Sequence, residues 1–178
     1  MNKKGENITK AFVFIQNFYK EVAQLIVKLD DLMEKEGWTS ARGSTTTSEV
    51  SVGLKSPEKW LPDASFRLYE NAKGDRVRKG IVPCYIYEGR IEEPLLIMGR
   101  ITYEKVDKAQ DWDIYNLWFD DTKERVPYKE YKESRPENRD LFIEKDVIDE
   151  AVLYAINLVD VGNEEDIKNK VYKKLSAL

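Results

Sequence analysis

The 178 residues are 42% hydrophobic and 11% aromatic, enough for the core of a single domain and too many for a wholly disordered chain. Basic and acidic side chains number 29 and 33, and a net charge of −4 gives no overall attraction to nucleic acid or to an anionic membrane. With no histidine and one cysteine, Cys84, the chain excludes Ser-His-Asp and Cys-His nucleophiles, zinc sites built from His and Cys, and an internal disulfide.

The opening MNKKGENITKAFVFIQNF has an apolar run, Ala11 to Ile15, too short for a signal-peptide core, and Gln16 and Asn17 end it. The expectation is a cytoplasmic protein with no membrane span. Over residues 8–36 the apolar positions Ile8, Phe12, Ile15, Tyr19, Val22, Ile26, Leu29 and Met33 step alternately by four and three. Ala11, Phe18, Leu25 and Leu32 widen the stripe. The pattern predicts an amphipathic helix of about 28 residues, roughly 42 Å long, stopped at Gly37. Its stripe suits either the domain's own core or a coiled-coil-like seam with a second copy.

Residues 43–62 follow, rich in Thr, Ser and Gly, with weak alternation at Val50, Val52 and Leu54 and breaks at Pro57 and Pro62. The expectation is a mobile connector, solvated at Thr45 to Ser48 and anchored where Trp60 packs on the sheet. Strands are predicted at Ala64 to Tyr69, Ile81 to Tyr87, Leu95 to Tyr103 and Asp111 to Phe119, with Pro83 pointing to an edge or a bulge. Several are apolar on both faces, so the sheet is covered on both sides. Residues 120–142 read as a charged excursion. Two helices are predicted to close the chain, the first over Val147 to Val159 and the second capped by Asn163.

These elements define an α+β fold in one domain: a long N-terminal helix, an antiparallel sheet of about five strands and a C-terminal helix pair. Its candidate ligand-facing residues are Arg67 and Arg100, which sit within apolar strands and need an anionic partner, together with the aromatic residues Trp60, Trp112 and Trp118. The basic turn Lys73, Arg76, Arg78 and Lys79, flanked by Tyr69, Tyr85 and Tyr87, is either a solvated hairpin or a grip on phosphate and single-stranded nucleic acid. Pro62-Asp63 before one strand and Asp121-Thr122-Lys123 after another resemble, at wider spacing, the PD-(D/E)xK nuclease pattern. That resemblance implies a metal held by Asp63 and Asp121 and water oriented by Lys123; the alternative makes Asp63 a turn residue and 120–123 a solvated loop. No glycine-rich phosphate loop of the P-loop or dinucleotide type is present. Cys84 reads as a small core residue. The reading favours a non-enzymatic binding or regulatory module that self-associates or takes a protein partner and needs no cofactor, with the nuclease and the nucleic-acid adaptor as rivals.

Overall fold

The computed structural model describes residues 3–48, 54–55, 57–86, 91–121, 130–134 and 147–178. Helix α1 runs Lys3–Glu34, about 48 Å at 1.5 Å per residue. Gly37, at φ 82°, turns the chain out of it and closes on the Glu34 carbonyl. Strands β1 (Trp38–Ser40), β2 (Thr47–Ser48), β3 (Ser65–Asn71), β4 (Val77–Cys84) and β5 (Leu95–Tyr103) follow, then helix α2 (Asp113–Asp121), β6 (Glu130–Ser134) and β7 (Ile148–Asn157). The chain ends on helix α3, residues 164–176, whose middle, Ile167–Tyr172, is wound as a π-helix. Asn163 caps α3, its side chain accepting the Asp166 N–H at 3.0 Å.

All strand pairs are antiparallel, in the order β1-β3-β4-β5-β7-β6, with β2 beside β1 on the outer edge of β3. One sheet face carries α1 and α3 over Trp38, Tyr69, Ile81, Leu96 and Met98. The other carries α2, where Ile114, Tyr115, Leu117, Trp118 and Phe119 meet Phe66, Leu68, Ile97, Ile101 and Leu153. The α+β class and the doubly covered sheet are as expected.

Three expected elements are corrected. Asp111 to Phe119 forms no strand: α2 occupies it, because Ile114, Leu117 and Trp118 recur at helical spacing on one face. Val147 to Val159 forms no α-helix: Ile148–Asn157 is β7, second from the edge, with Ala151, Leu153 and Ala155 in the α2-side core, and a 3-10 turn, Leu158–Asp160, follows it. The C-terminal pair is therefore a strand and a helix. Residues 130–134 of the expected excursion pair with β7, while 122–129 and 135–146 lie outside the described residues. Pro83 sits in the central strand β4, not at an edge. It has no N–H to give, and it stands where the ladder to β3 lapses between the Arg67–Ile81 pair and the Ala64–Cys84 bridge.

The start of α2 is held by a buried carboxylate. Asp113, 1% exposed, accepts the Gln110 N–H at 2.8 Å and the Tyr103 hydroxyl at 2.7 Å. Burial pushes its pKa up from 3.8 to about 6. Between those values the folded protein keeps a proton that the unfolded chain has lost, so this group makes stability fall as pH rises through the window. An asparagine supplies an acceptor for both donors without the charge. Asp113→Asn is expected to gain on the parent by about 2–3 kcal/mol as pH rises from about 4 to about 6. Urea midpoints of both proteins across that range check it, and a constant difference would contradict it.

Candidate functional site

Two surfaces stand out. The first is the exposed half of α1. Its seam positions Val22, Ile26, Leu29 and Met33 are buried on the sheet, but every residue from Lys3 to Phe14 is exposed. The same apolar stripe continues through the half-buried Ile15 to Phe12 and Ile8, which have no cover among the described residues; Phe12 is 59% and Phe14 71% exposed. The helix leaves the sheet at an aromatic knot, where Phe18 and Tyr19 meet the Tyr85 ring edge-on at 5.4 and 5.3 Å.

The second is a groove of about 460 Å³ between α1 and the outer edge of β3. Successive turns of α1 present Tyr19, Val22, Ala23, Ile26, Val27 and Asp30 as one wall. The facing wall is the stretch RGSTTTS. Ser44, at the end of a turn, and Thr46 and Ser48, at the strand that follows it, line the groove. Thr47 points the other way, its hydroxyl 3.1 Å from Asp111, which also takes the Arg42 Nε–H at 2.9 Å. Pro62, Ser65, Arg67 and Tyr85 complete the lining. The Tyr85 hydroxyl is 2.8 Å from Ser65 Oγ, which in turn lies 3.3 Å from Ser48 Oγ.

Arg67 joins the two walls. Its guanidinium forks onto Asp30, Nε to Oδ1 at 3.0 Å and Nη2 to Oδ2, and its Nη1 donates to the Thr45 carbonyl at 3.0 Å. Tyr69 adds its hydroxyl to Asp30 Oδ1 at 2.9 Å. Arg67 is 5% exposed, so this partner is a necessity: a buried charge of this kind is tolerated only when paired and hydrogen-bonded. Burial, then the Asp30 charge, raise the Tyr69 phenol well above its ordinary pKa, and burial pushes Tyr85 up to about 12. Tyr19 is raised too, by burial and by Asp63. The groove's phenols are therefore neutral donors at neutral pH, unsuited to act as bases.

The predicted site residues are dispersed. Arg67 lines the groove, with a protein carboxylate as its anionic partner. Arg100 lies two strands away and pairs with Glu150 across β5 and β7. Trp118 is core, 3% exposed, whereas Trp112 precedes α2 with 37% exposure, so the two do not share a strand face. Trp60 ends a short 3-10 turn, Pro57–Trp60, and is 53% exposed. Thr45 to Ser48 are largely exposed, yet tied down by β3, Arg67 and Asp111. Residues 49–53 and 56 of the connector lie outside the described residues.

The basic turn does not present one patch. Arg76 bonds Glu104 at 2.6 Å and the Tyr103 carbonyl; Arg78 bonds Glu70 at 3.3 Å and the Asp75 carbonyl at 3.0 Å. Lys79, 5% exposed, donates to the Ser176 carbonyl at 3.1 Å in the last turn of α3 and lies over Trp38. Burial lowers its pKa, opposed by Glu36. Lys73 is exposed at the tip. Asp63 lies at the groove's rim, its carbonyl taking the Tyr85 and Ile86 N–H groups. Asp121 ends α2, and Lys123 lies outside the described residues.

Among the described residues no group of three or more Asp, Glu or Cys is placed to hold a metal, and no helix is long and apolar enough to cross a membrane. Comparison with family models, curated proteins and solved structures finds no match, so no role is carried over from another protein. Sequence reasoning missed Asp30 and the hydroxyl wall, and assigned Tyr85 to the flank of the basic turn. The available signal was the alternation of small hydroxyl residues over 44–48 and an acid bordering the apolar stripe of α1.

Proposed function

We propose that this chain is a non-enzymatic, cytoplasmic binding module that associates with a second copy of itself through the N-terminal half of α1. One observation carries the reading: the seam that packs α1 on its own sheet continues outward, in the same four-three rhythm, to Phe12 and Ile8, which are exposed with no cover among the described residues. A helical stretch of about 15 residues holds its helix poorly in water alone, and Thr9, Val13, Phe12, Phe14 and Ile15 are indifferent helix formers. A partner covering the stripe supplies what the local sequence lacks. The non-enzymatic part rests on residue types: there is no histidine, and the one thiol, Cys84, is buried.

The magnitudes favour an equilibrium over an obligate assembly. At about 1.5–3 kcal/mol per fully buried side chain, Ile8, Phe12 and Ile15 from two copies contribute on the order of 10 kcal/mol. Association itself costs about 4–15 kcal/mol. The mass measured by light scattering should therefore rise above 20.8 kDa with concentration. Phe12→Glu puts a carboxylate in the seam without touching the core, and is expected to hold the mass at 20.8 kDa with an unchanged circular dichroism spectrum. A parent protein that stays at that mass throughout, or a variant that assembles like it, would overturn the reading.

A further inference from the structure

We infer that the groove between α1 and residues 44–48 binds an uncharged, elongated amphipathic small molecule, its apolar flank along α1 and its hydrogen-bonding flank against the hydroxyl wall. The two walls differ in chemistry. Val22, Ile26 and Val27 offer only hydrocarbon, whereas Ser44, Thr46 and Ser48 offer hydroxyls on alternate residues. The Ser44 and Thr46 hydroxyls have no hydrogen-bond partner among the described residues. The volume, about 460 Å³, is that of a small-molecule site and not of a solvent-sized void. From Tyr19 to Asp30 the α1 wall extends roughly 16 Å, so the shape favours a long molecule over a round one.

Charge decides the class. Among the described residues of the lining, the only carboxylate and guanidinium, Asp30 and Arg67, neutralise one another through a two-point fork, and Tyr69 adds a third bond to the carboxylate. Among these described residues a charged ligand finds no free counter-charge, and it loses water on entry, which penalises it. A neutral hydroxyl or amide finds donors and acceptors in the serine and threonine hydroxyls. The inference concerns the groove and not the outer half of α1, so it holds for a monomer as well as for an assembly.

Decanol, decanoate and decylammonium share one apolar body and differ in head charge. Calorimetric titration of each into the full chain separates apolar fit from charge. Decanol is expected to bind, and the two charged analogues at least about tenfold more weakly. Ala23 is exposed on the groove wall, so Ala23→Trp fills the space without entering the core. That variant is expected to lose decanol binding while keeping the parent's unfolding midpoint; Val27→Trp serves the same end if it does not fold. Equal binding of the three heads, survival of decanol binding in the filled variant, or no binding by any of them would each overturn the inference. A monomer that binds decanol selectively would keep it and sink the self-association instead.

Discussion

Asp30→Ala is expected to destabilise the protein by about 3–5 kcal/mol, the cost of leaving a buried charge without its partner. Arg67 is the charge at stake: 5% exposed, with two of its nitrogens committed to Asp30. The loss of the carboxylate also strands the Tyr69 hydroxyl, which is fully buried with its ring. Replacing both partners tells a burial cost from a packing cost. In the double variant Asp30→Leu with Arg67→Met no charge remains to be solvated, and most of the lost stability should return. Urea unfolding of the parent, both single variants and the pair measures this. A loss below about 1 kcal/mol for Asp30→Ala would place the pair with exposed ion pairs and contradict the account. Because Arg67 also holds the Thr45 carbonyl, amide exchange over 44–48 should quicken in the same variant.

Gly99→Ala is the second large effect. Gly99 faces Gly80 across β4 and β5 in the middle of the sheet. A Cβ at Gly99 would lie 2.5 Å from the Val152 carbonyl oxygen and collide with Leu153. The first obstacle is backbone, so no rotamer change relieves it, and strands on both sides fix its position. Overpacking of this kind costs about 1–3 kcal/mol or somewhat more. Gly80→Ala meets the Arg67 carbonyl and the Ile114 methyl, both at 2.8 Å, and the second of these belongs to a side chain that can rotate. The order of unfolding midpoints should be parent, then Gly80→Ala, then Gly99→Ala. An unchanged midpoint for Gly99→Ala would mean that β5 and β7 are not packed as described.

The parts of the fold legible in the sequence are those with a single reading. Helix α1 shows one stripe over four turns and more, and no strand imitates a four-three step of that length. Strand β5 is apolar on both faces and bounded by Pro94 and the Glu104-Lys105 pair. The two elements read the wrong way round are those where period and composition conflict. In 111–119 the aromatic and β-branched residues suit a strand, yet the Asp113 carboxylate holds the entry turn and the burial of Ile114, Leu117 and Trp118 makes it a helix. In 147–159 the alanines and the spacing of Ile148, Ala151, Val152 and Ala155 suit a helix. The segment nevertheless forms a strand beside β5, where both faces are largely covered and an apolar run has no visible period.

The groove was harder to read for a different reason. Its pieces are local in kind but distant in sequence: Asp30 and Arg67 are 37 residues apart, and Thr47 and Asp111 are 64 apart. An arginine inside an apolar strand announces that it needs a carboxylate, but not which one. The threonine-rich stretch looks like a solvated linker because its side chains are small and polar. Its order comes from contacts that lie elsewhere in the chain, with β3, Arg67 and Asp111.

The claim that α1 carries both the domain's core and its assembly seam is tested most directly by amide hydrogen exchange along that helix at increasing protein concentration. Residues 22–33 pack on the sheet and should be protected at every concentration. Residues 8–18 should exchange quickly when dilute and slow progressively as the protein is concentrated, reaching protection like that of the inner half. Fast exchange over 8–18 at all concentrations would contradict the account and leave the outer half of α1 without a partner of its own kind.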